Sequence, residues 1–126
     1  MVPLVVVDSA NVVGSVPDGW WRDRAGATRR LRDALREVPP AGLSGVVPPP
    51  VEVVLVVEGA AREVADVPQV RVVRAPGTGD DCIVDVVAEE GATGRRVVVV
   101  TADRGLRERV TALGAEVVGP RAVRRR

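Results

Sequence analysis

The sequence predicts an α/β fold, namely a three-layer sandwich with a central, mostly parallel five-stranded sheet. Short runs of almost entirely apolar residues recur along the chain, and segments with apolar residues at helical spacing lie between them. Strands without polar–apolar alternation are typical of sheets that helices cover on both faces. The apolar residues are mostly Val, Ala and Leu, and β-branched side chains such as Val favour a pleated, buried surface.

Five apolar runs are the candidate strands, and the fifth is the weakest. They span residues 4–7, 53–57, 70–73, 97–100 and 116–118. Helices are predicted over residues 24–38, 80–90 and 103–113, with a short helix between the second and third strands. This alternation of strands and helices implies right-handed crossovers and an open, doubly wound sheet.

Prolines and glycines mark the ends of the predicted helices. Pro39 and Pro40 are expected to end the first helix, because proline removes a backbone donor and clashes with the preceding turn. Gly91 is expected to end the second helix, and Gly114 to cap the third. Residues 41–50 are rich in glycine and proline, which predicts a loop rather than a domain boundary.

The length of 126 residues fits one compact domain. We predict that residues 1–120 form this domain and that residues 121–126, with four arginines, are a frayed basic tail. The single cysteine, Cys82, excludes an internal disulfide and fits a reducing compartment. No signal peptide is recognisable, and no apolar run approaches the roughly 20 residues that a membrane helix needs. The predicted location is cytoplasmic, with no membrane partner.

All basic residues are arginines, and the formal net charge is +1. A charge so close to neutral does not by itself indicate a nucleic-acid partner. The absence of His excludes Ser–His and Cys–His chemistry and, with one Cys, argues against a zinc site. Arg presents a planar fork that suits phosphate, and it cannot act as a general base near neutral pH.

Carboxylates follow each of the first four predicted strands. They are Asp8, Glu58, the pair Asp80 and Asp81 with Asp85 one helical turn further on, and Asp103. Open α/β sheets bind their ligands at the carboxyl ends of the strands, where these side chains should meet. Like charges crowded at one edge are unfavourable unless a cation lies between them, and oxygen ligands suit Mg²⁺. The sequence therefore predicts a divalent-metal site at this edge of the sheet.

Structural explanations compete with this prediction for some of the carboxylates. Asp80 and Asp103 also suit the N-cap positions of the helices that they precede. Glu58 and Asp85 also suit solvent-exposed positions. Asp8 is harder to explain in this way, because a carboxylate at the end of a buried strand is costly without a partner.

Three segments resemble NYN domains, which are PIN-like metal-dependent ribonucleases. The opening VVVDSANVVGS resembles their first strand, which ends in Asp-x-x-Asn. The segment VRVVRAPGTGDDCIVDVV resembles the central part, where a glycine-rich turn leads paired aspartates into a helix. The segment VVVVTADRGLRERVTALGAEVVG resembles the closing part, where a strand ends in Thr-x-Asp or Ser-x-Asp before a helix. The likeness covers most of the chain apart from residues 41–50 and the tail.

The resemblance implies a PIN-like parallel sheet and hydrolysis of RNA phosphodiester bonds with Mg²⁺ or Mn²⁺. It implies that Asp8, Asp81 and Asp103 are the catalytic, metal-binding carboxylates. Asp80 is then a further acidic member of the same site. A water activated by the metal is the expected nucleophile, since the chain has neither His nor Lys.

Two polar positions match the family, and one position departs from it. The resemblance implies that Asn11 contacts the substrate or a water bound to the metal. It implies that Thr101 supports the carboxylates from behind, at the site where the substrate binds. Many relatives carry an acid at the position of Arg107. Either Asp85 or Glu58 then takes over as a metal ligand, or the site binds fewer ions.

Contacts to RNA outside the metal site are expected from arginines and from the two adjacent tryptophans. The candidate phosphate-binding residues are Arg22, Arg24, Arg29, Arg30 and Arg104, of which Arg29 and Arg30 also suit a solvated helix face. Trp20 and Trp21 offer aromatic faces on which bases stack. Plainer alternatives are a salt bridge for Arg104 and a core position for one tryptophan, in a chain that has no Phe or Tyr.

Other functions remain open at this point. A catalytically inactive module that binds RNA or a protein would keep the fold and tolerate Arg107. A phosphohydrolase of small nucleotides would use the same acidic edge. The Glu58-Gly59 pair is also similar to a strand end of toprim domains, but these need an Asp-x-Asp that Thr101-Ala102-Asp103 does not supply. The sequence leaves open which RNA is cut and whether the chain forms a homodimer.

Overall fold

Five strands form one sheet in the computed structural model, which describes residues 1–124. The strands are β1 (Leu4–Asp8), β2 (Glu52–Val57), β3 (Arg71–Arg74), β4 (Val97–Val100) and β5 (Glu116–Val118). Their order in the sheet is β3-β2-β1-β4-β5, and all neighbouring pairs run parallel. The predicted α/β fold with a parallel five-stranded central sheet is confirmed.

Helices cover both faces of this sheet. They are α1 (Ser9–Gly14), α2 (Arg24–Ala34), α3 (Val38–Ala41), α4 (Gly79–Gly91), α5 (Arg104–Thr111) and α6 (Arg121–Arg124), with 3₁₀ turns at Trp20–Arg22, Leu35–Glu37 and Gly59–Glu63. No helix within residues 1–124 is long and apolar enough to cross a membrane.

The sheet separates two hydrophobic cores. Successive residues of a strand point to opposite faces, so Val5 packs with Leu31 on one face while Val6 packs with Ile83 and Leu106 on the other. All five residues of β1 are buried, because this strand pairs with β2 on one side and with β4 on the other. The side chain that ends β1 is therefore carried into the interior.

The helix α1 follows β1 without an intervening loop, and the sequence analysis did not predict it. Asp8 is its N-cap, since a carboxylate oxygen of Asp8 accepts a hydrogen bond from the backbone N–H of Asn11. A helix of six residues has too few apolar positions for a helical period to be recognised.

The prediction that Pro39 and Pro40 end the first long helix is wrong. The helix α2 stops earlier, at Ala34, and both prolines lie in the short helix α3. Proline is tolerated in the first turn of a helix, where no backbone donor is needed. Residues 41–50 then form the predicted connection to β2, with Leu43 and Val47 buried.

The N-caps of the two later helices differ in kind. Thr78 caps α4, because its hydroxyl accepts from the N–H of Asp81 at 3.2 Å. The alternative in which Asp80 is this cap is therefore wrong, and Asp80 lies in the first turn instead. Asp103 does cap α5, with its Oδ1 2.9 Å from the backbone nitrogen of Leu106.

The basic tail predicted to be frayed from residue 121 is ordered at its start. Residues Arg121–Arg124 form α6, and Val123 is fully buried in the core that contains Leu31. The apolar Val123 anchors the segment, whereas arginine composition alone had indicated a solvated tail. Arg125 and Arg126 lie outside the described residues.

We expect Val123→Ala to lower the free energy of unfolding by about 1.5 kcal/mol, because it removes about two buried methyl groups from the core. Urea unfolding followed by circular dichroism measures this change. Arg121→Ala is the control, since Arg121 is exposed and its removal should change stability by less than about 0.5 kcal/mol. Equal effects of the two substitutions would contradict the anchoring role of Val123.

Candidate functional site

Carboxylates gather where the strands β1, β2 and β4 end. Asp8 ends β1, Glu58 follows β2 directly, Asp80 and Asp81 lie in the first turn of α4, and Asp103 stands between β4 and α5. We call these five residues the acidic cluster. Parallel pairing brings the strand ends to one edge, as the register of Val7 with Val100 illustrates.

Asp8 is the most buried member of the acidic cluster, with 4% of its surface exposed. Its Oδ2 accepts a hydrogen bond from the hydroxyl of Thr101 at 2.9 Å, and its Oδ1 accepts from the backbone N–H of Asn11 at 3.4 Å. Burial raises the pKa of Asp8 to about 6, and the charges of Asp80 and Glu58 add to this, while the two hydrogen bonds lower it.

Thr101 and Asn11 join the ends of β1 and β4. The Thr101 hydroxyl oxygen accepts from the backbone N–H of Asp103 at 3.1 Å while its proton points to Asp8. The side-chain oxygen of Asn11 accepts from the backbone N–H of Ala102 at 2.8 Å. Asn11, predicted to contact substrate, therefore also fixes the turn that carries Asp103.

The pKa of Asp80 reflects its burial and the charges of the carboxylates around it. Burial raises the pKa of Asp80, and the charges of Asp103, Glu58 and Asp81 raise it further, whereas the charge of Arg109 lowers it. These groups are thus close enough to repel one another. The like charges predicted to meet at this edge therefore disfavour ionisation of Asp80.

Glu58 is tied to the start of α4. Its Oε2 accepts from the backbone N–H of Gly79 at 3.2 Å. A Cβ on Gly79 would lie 2.9 Å from Oε1 of Glu58, closer than real Cβ contacts. Glycine at this position therefore allows the carboxylate to approach the helix terminus.

Arg109 is a residue of the site that the sequence analysis missed. Its guanidinium Nη2 lies 3.0 Å from Oδ1 of Asp81, with both side chains largely exposed. An exposed pair of this kind contributes little to stability. No local spacing connects the two residues in the sequence, because the contact depends on how α4 and α5 pack.

Asp85 does not join the acidic cluster. It is exposed on α4, and its charge raises the pKa of Cys82, after the larger effect of burial. The carboxylates of the described chain that raise the pKa of Asp8 and Asp80 do not include it. Its predicted role as a metal ligand gains no support from this placement.

The predicted RNA-contacting residues lie at two places. Arg104 is exposed at the start of α5, directly after Asp103. Trp20, Trp21 and Arg22 form the 3₁₀ turn before α2, where Trp20 is half-buried and Trp21 is 54% exposed. Neither tryptophan belongs to the two hydrophobic cores.

The donor set fits a hard divalent cation better than any other metal. It consists of carboxylate oxygens, and the charges of Asp80 and Glu58 add to the effect of burial in disfavouring ionisation of Asp8. Within residues 1–124, no three acidic or thiol side chains converge as a ready-made metal cage. Mg²⁺ does not require one, since it binds through one or two carboxylates and retains several waters.

Comparison with solved structures finds the same fold in Rae1 (YacP) from Bacillus subtilis. That structure superposes with a TM-score of 0.69 and 20% sequence identity, over 94% of this chain and 70% of that chain. A tryptophan-to-leucine mutant of the same protein gives a TM-score of 0.66 and 18% identity over the same shares. The likeness is one of fold. No family model and no curated protein matches the sequence.

The raised pKa of Asp8 predicts a pH dependence of stability. Folding favours the protonated carboxyl, so this contribution is full below the ordinary pKa of 3.8 and disappears as the pH rises through about 6. Between pH 4.5 and pH 7.5 the wild type should lose about 2 kcal/mol that Asp8→Asn does not lose. Urea unfolding of both proteins at both pH values measures this difference. A gap between the two proteins that is the same at both pH values would contradict the prediction.

Proposed function

We propose that this protein is a ribonuclease that depends on Mg²⁺ or Mn²⁺ and hydrolyses RNA phosphodiester bonds at the acidic cluster. The observation that carries the proposal is the gathering of five carboxylates at one edge of a parallel sheet, where burial and then mutual charge repulsion raise the pKa of Asp8 and Asp80. A divalent cation relieves such repulsion and attracts the phosphate of a substrate.

The resemblance to NYN domains supports the same proposal. The positions that carry the resemblance come from three distant parts of the chain. In the fold, hydrogen bonds join the first and the last part: Thr101 donates to Asp8, and Asn11 accepts from the backbone N–H of Ala102. The central part meets the last one where Arg109 donates to Asp81. A likeness by chance would not require these segments to meet.

In this proposal Asp8, Asp80, Asp81 and Asp103 supply the oxygen ligands. A bound divalent ion would activate water and neutralise charge on the phosphate. Asp8 is suited to hold the ion in one place, because hydrogen bonds fix both of its oxygens.

Arginines at the edge of the cluster would bind the RNA backbone. Arg109 contacts the cluster directly through Asp81, and Arg104 is exposed one residue beyond Asp103. The guanidinium group pairs well with phosphate oxygens.

A cytoplasmic location and a homodimer remain predictions.

A second candidate function is RNA binding without catalysis. It is favoured by the ion pair between Asp81 and Arg109, which occupies one predicted ligand oxygen, and by Arg107 at a position that is often acidic. A phosphohydrolase of small nucleotides would use the same carboxylates. It would differ from the ribonuclease only in its substrate, which would be a free nucleotide and not RNA.

The test is cleavage of an end-labelled single-stranded RNA with Mg²⁺, with Mn²⁺ and with EDTA. We expect metal-dependent cleavage that falls by about 100-fold or more in Asp8→Asn and Asp103→Asn, because a held cation contributes several kcal/mol. Asn also serves as an N-cap, so Asp103→Asn removes the charge while the cap of α5 remains. Asp85→Asn, on the exposed face of α4, should stay within about twofold of the wild type.

Each other outcome identifies a competing function. Tight binding of RNA in EDTA without cleavage in any metal would favour the binding module. Hydrolysis of a nucleoside monophosphate with no action on RNA would favour the small-nucleotide enzyme. Full activity in both Asp8→Asn and Asp103→Asn would remove the acidic cluster from the mechanism.

A further inference from the structure

A cleft opens beside the acidic cluster, between α1, the start of α2 and the end of β2. Its volume is about 300 Å³. Its lining combines small apolar residues with one aromatic, one cationic and one acidic side chain: Ala10, Val13, Trp20, Arg24, Thr28, Glu58, Gly59 and Ala61. This composition differs from the acidic cluster next to it, in which all five side chains are carboxylates.

Trp20 and Arg24 form one wall of the cleft. The guanidinium carbon of Arg24 lies 5.4 Å from the centroid of the Trp20 ring, which is a cation–π arrangement. An indole ring and a guanidinium plane are the two kinds of surface on which proteins stack unpaired RNA bases. The wall therefore offers π surface and positive charge at the same point.

The remaining lining suits the other parts of a nucleobase. Ala10, Val13 and Ala61 provide small apolar contacts. Glu58 provides carboxylate oxygens, which accept hydrogen bonds from the ring and amino N–H groups of a base. The Thr28 hydroxyl donates to the backbone carbonyl of Arg24 at 2.8 Å, which holds the first turn of α2 in place.

The size and the position of the cleft limit what it can hold. Its volume lies at the lower end of the range of about 300 to 1,000 Å³ for small-molecule sites, which suits one base rather than a longer segment. Glu58 lines the cleft and also raises the pKa of Asp8 and Asp80 through its charge. A base in the cleft would thus have its own phosphate close to the acidic cluster.

We propose that this cleft binds one unpaired nucleobase of an RNA strand, with Trp20 and Arg24 as the stacking pair and Glu58 as the group that reads the edge of the base. The selection of a cut site by this base rests on the proposed ribonuclease function, whereas the binding of the base does not. The adjacent Trp21 takes no part in the cleft, since it is exposed and contacts Trp20 edge-on at 6.0 Å.

The first experiment measures binding in EDTA, where cleavage cannot occur. The probe is a fluorescent single-stranded RNA tetranucleotide, titrated with each variant and followed by anisotropy. We expect Trp20→Leu and Arg24→Ala each to raise Kd about tenfold or more, in line with the loss of one stacked base. Trp21→Leu should leave Kd nearly unchanged, since Trp21 does not line the cleft. Arg36→Ala, an exposed arginine that bonds Gln69, should leave Kd unchanged.

The second experiment maps cleavage positions on a random-sequence single-stranded RNA in Mn²⁺. The wild type should prefer one type of base beside the cut, and Trp20→Leu should lose this preference while Trp21→Leu keeps it. Circular dichroism and urea unfolding establish that the variants are folded. If Trp20→Leu unfolds the protein, Arg24→Ala carries the test, because alanine is favourable within the first turn of a helix.

The two experiments separate the two proposals. Cleavage by the wild type with the same Kd and the same cut pattern in Trp20→Leu, Arg24→Ala and Trp21→Leu would overturn the base cleft and leave the ribonuclease intact. No cleavage by the wild type, together with the expected Kd changes, would overturn the ribonuclease and support the cleft. No cleavage with equal Kd values in all variants would overturn both.

Discussion

All strands of the sheet run in the same direction, and the geometry of the acidic cluster depends on that constraint. In a parallel sheet every carboxyl end lies at one edge, so residues far apart in sequence meet there. The central strand β1 is buried on both faces, which takes Asp8 out of water and raises its pKa. If a neighbour of β1 ran antiparallel to it, the residue that ends this neighbour would lie at the opposite edge of the sheet, away from Asp8.

Helix termini compensate part of the charge that this arrangement collects. Asp8 caps α1, Asp103 caps α5, and Asp80 and Asp81 lie in the first turn of α4. The N-terminal end of a helix carries partial positive charge and unpaired N–H groups, so it stabilises nearby carboxylates. The structural and chemical explanations of these aspartates are therefore compatible, since a cap can keep a second oxygen for a ligand. Burial, and after it the charges of Asp103 and Glu58, still raise the pKa of Asp80 in this arrangement.

The sheet could be predicted from sequence because its valine runs are continuous, rich in β-branched residues and too short to be helices. The helix α1 could not, since six residues hold too little pattern. Asp85 was grouped with Asp81 because the two residues are four positions apart on one helix. Which side chains of α4 face the acidic cluster depends on the rotation of the helix about its axis, and that rotation is set by packing. The contact of Arg109 with Asp81 depends on the same packing and has no local signal.

The two tryptophans illustrate a further limit of sequence reasoning. Adjacent and identical residues gave no reason to choose between them, and both were expected either to stack on bases or to fill the core. The turn that contains them points one indole toward Arg24 and the cleft while the other remains exposed. The direction of a short turn, rather than its composition, makes the difference.

Gly79 leaves room for the one carboxylate that the acidic cluster and the cleft share. Glu58 is the only member of the cluster that also lines the cleft within the described chain, and it can stand where it does because Gly79 has no side chain. A single methyl group at residue 79 would push this carboxylate away from α4, and Glu58 would then shift in the acidic cluster and in the cleft at once. The position of Glu58 between the cleft and the acidic cluster therefore depends on the absence of a Cβ at residue 79.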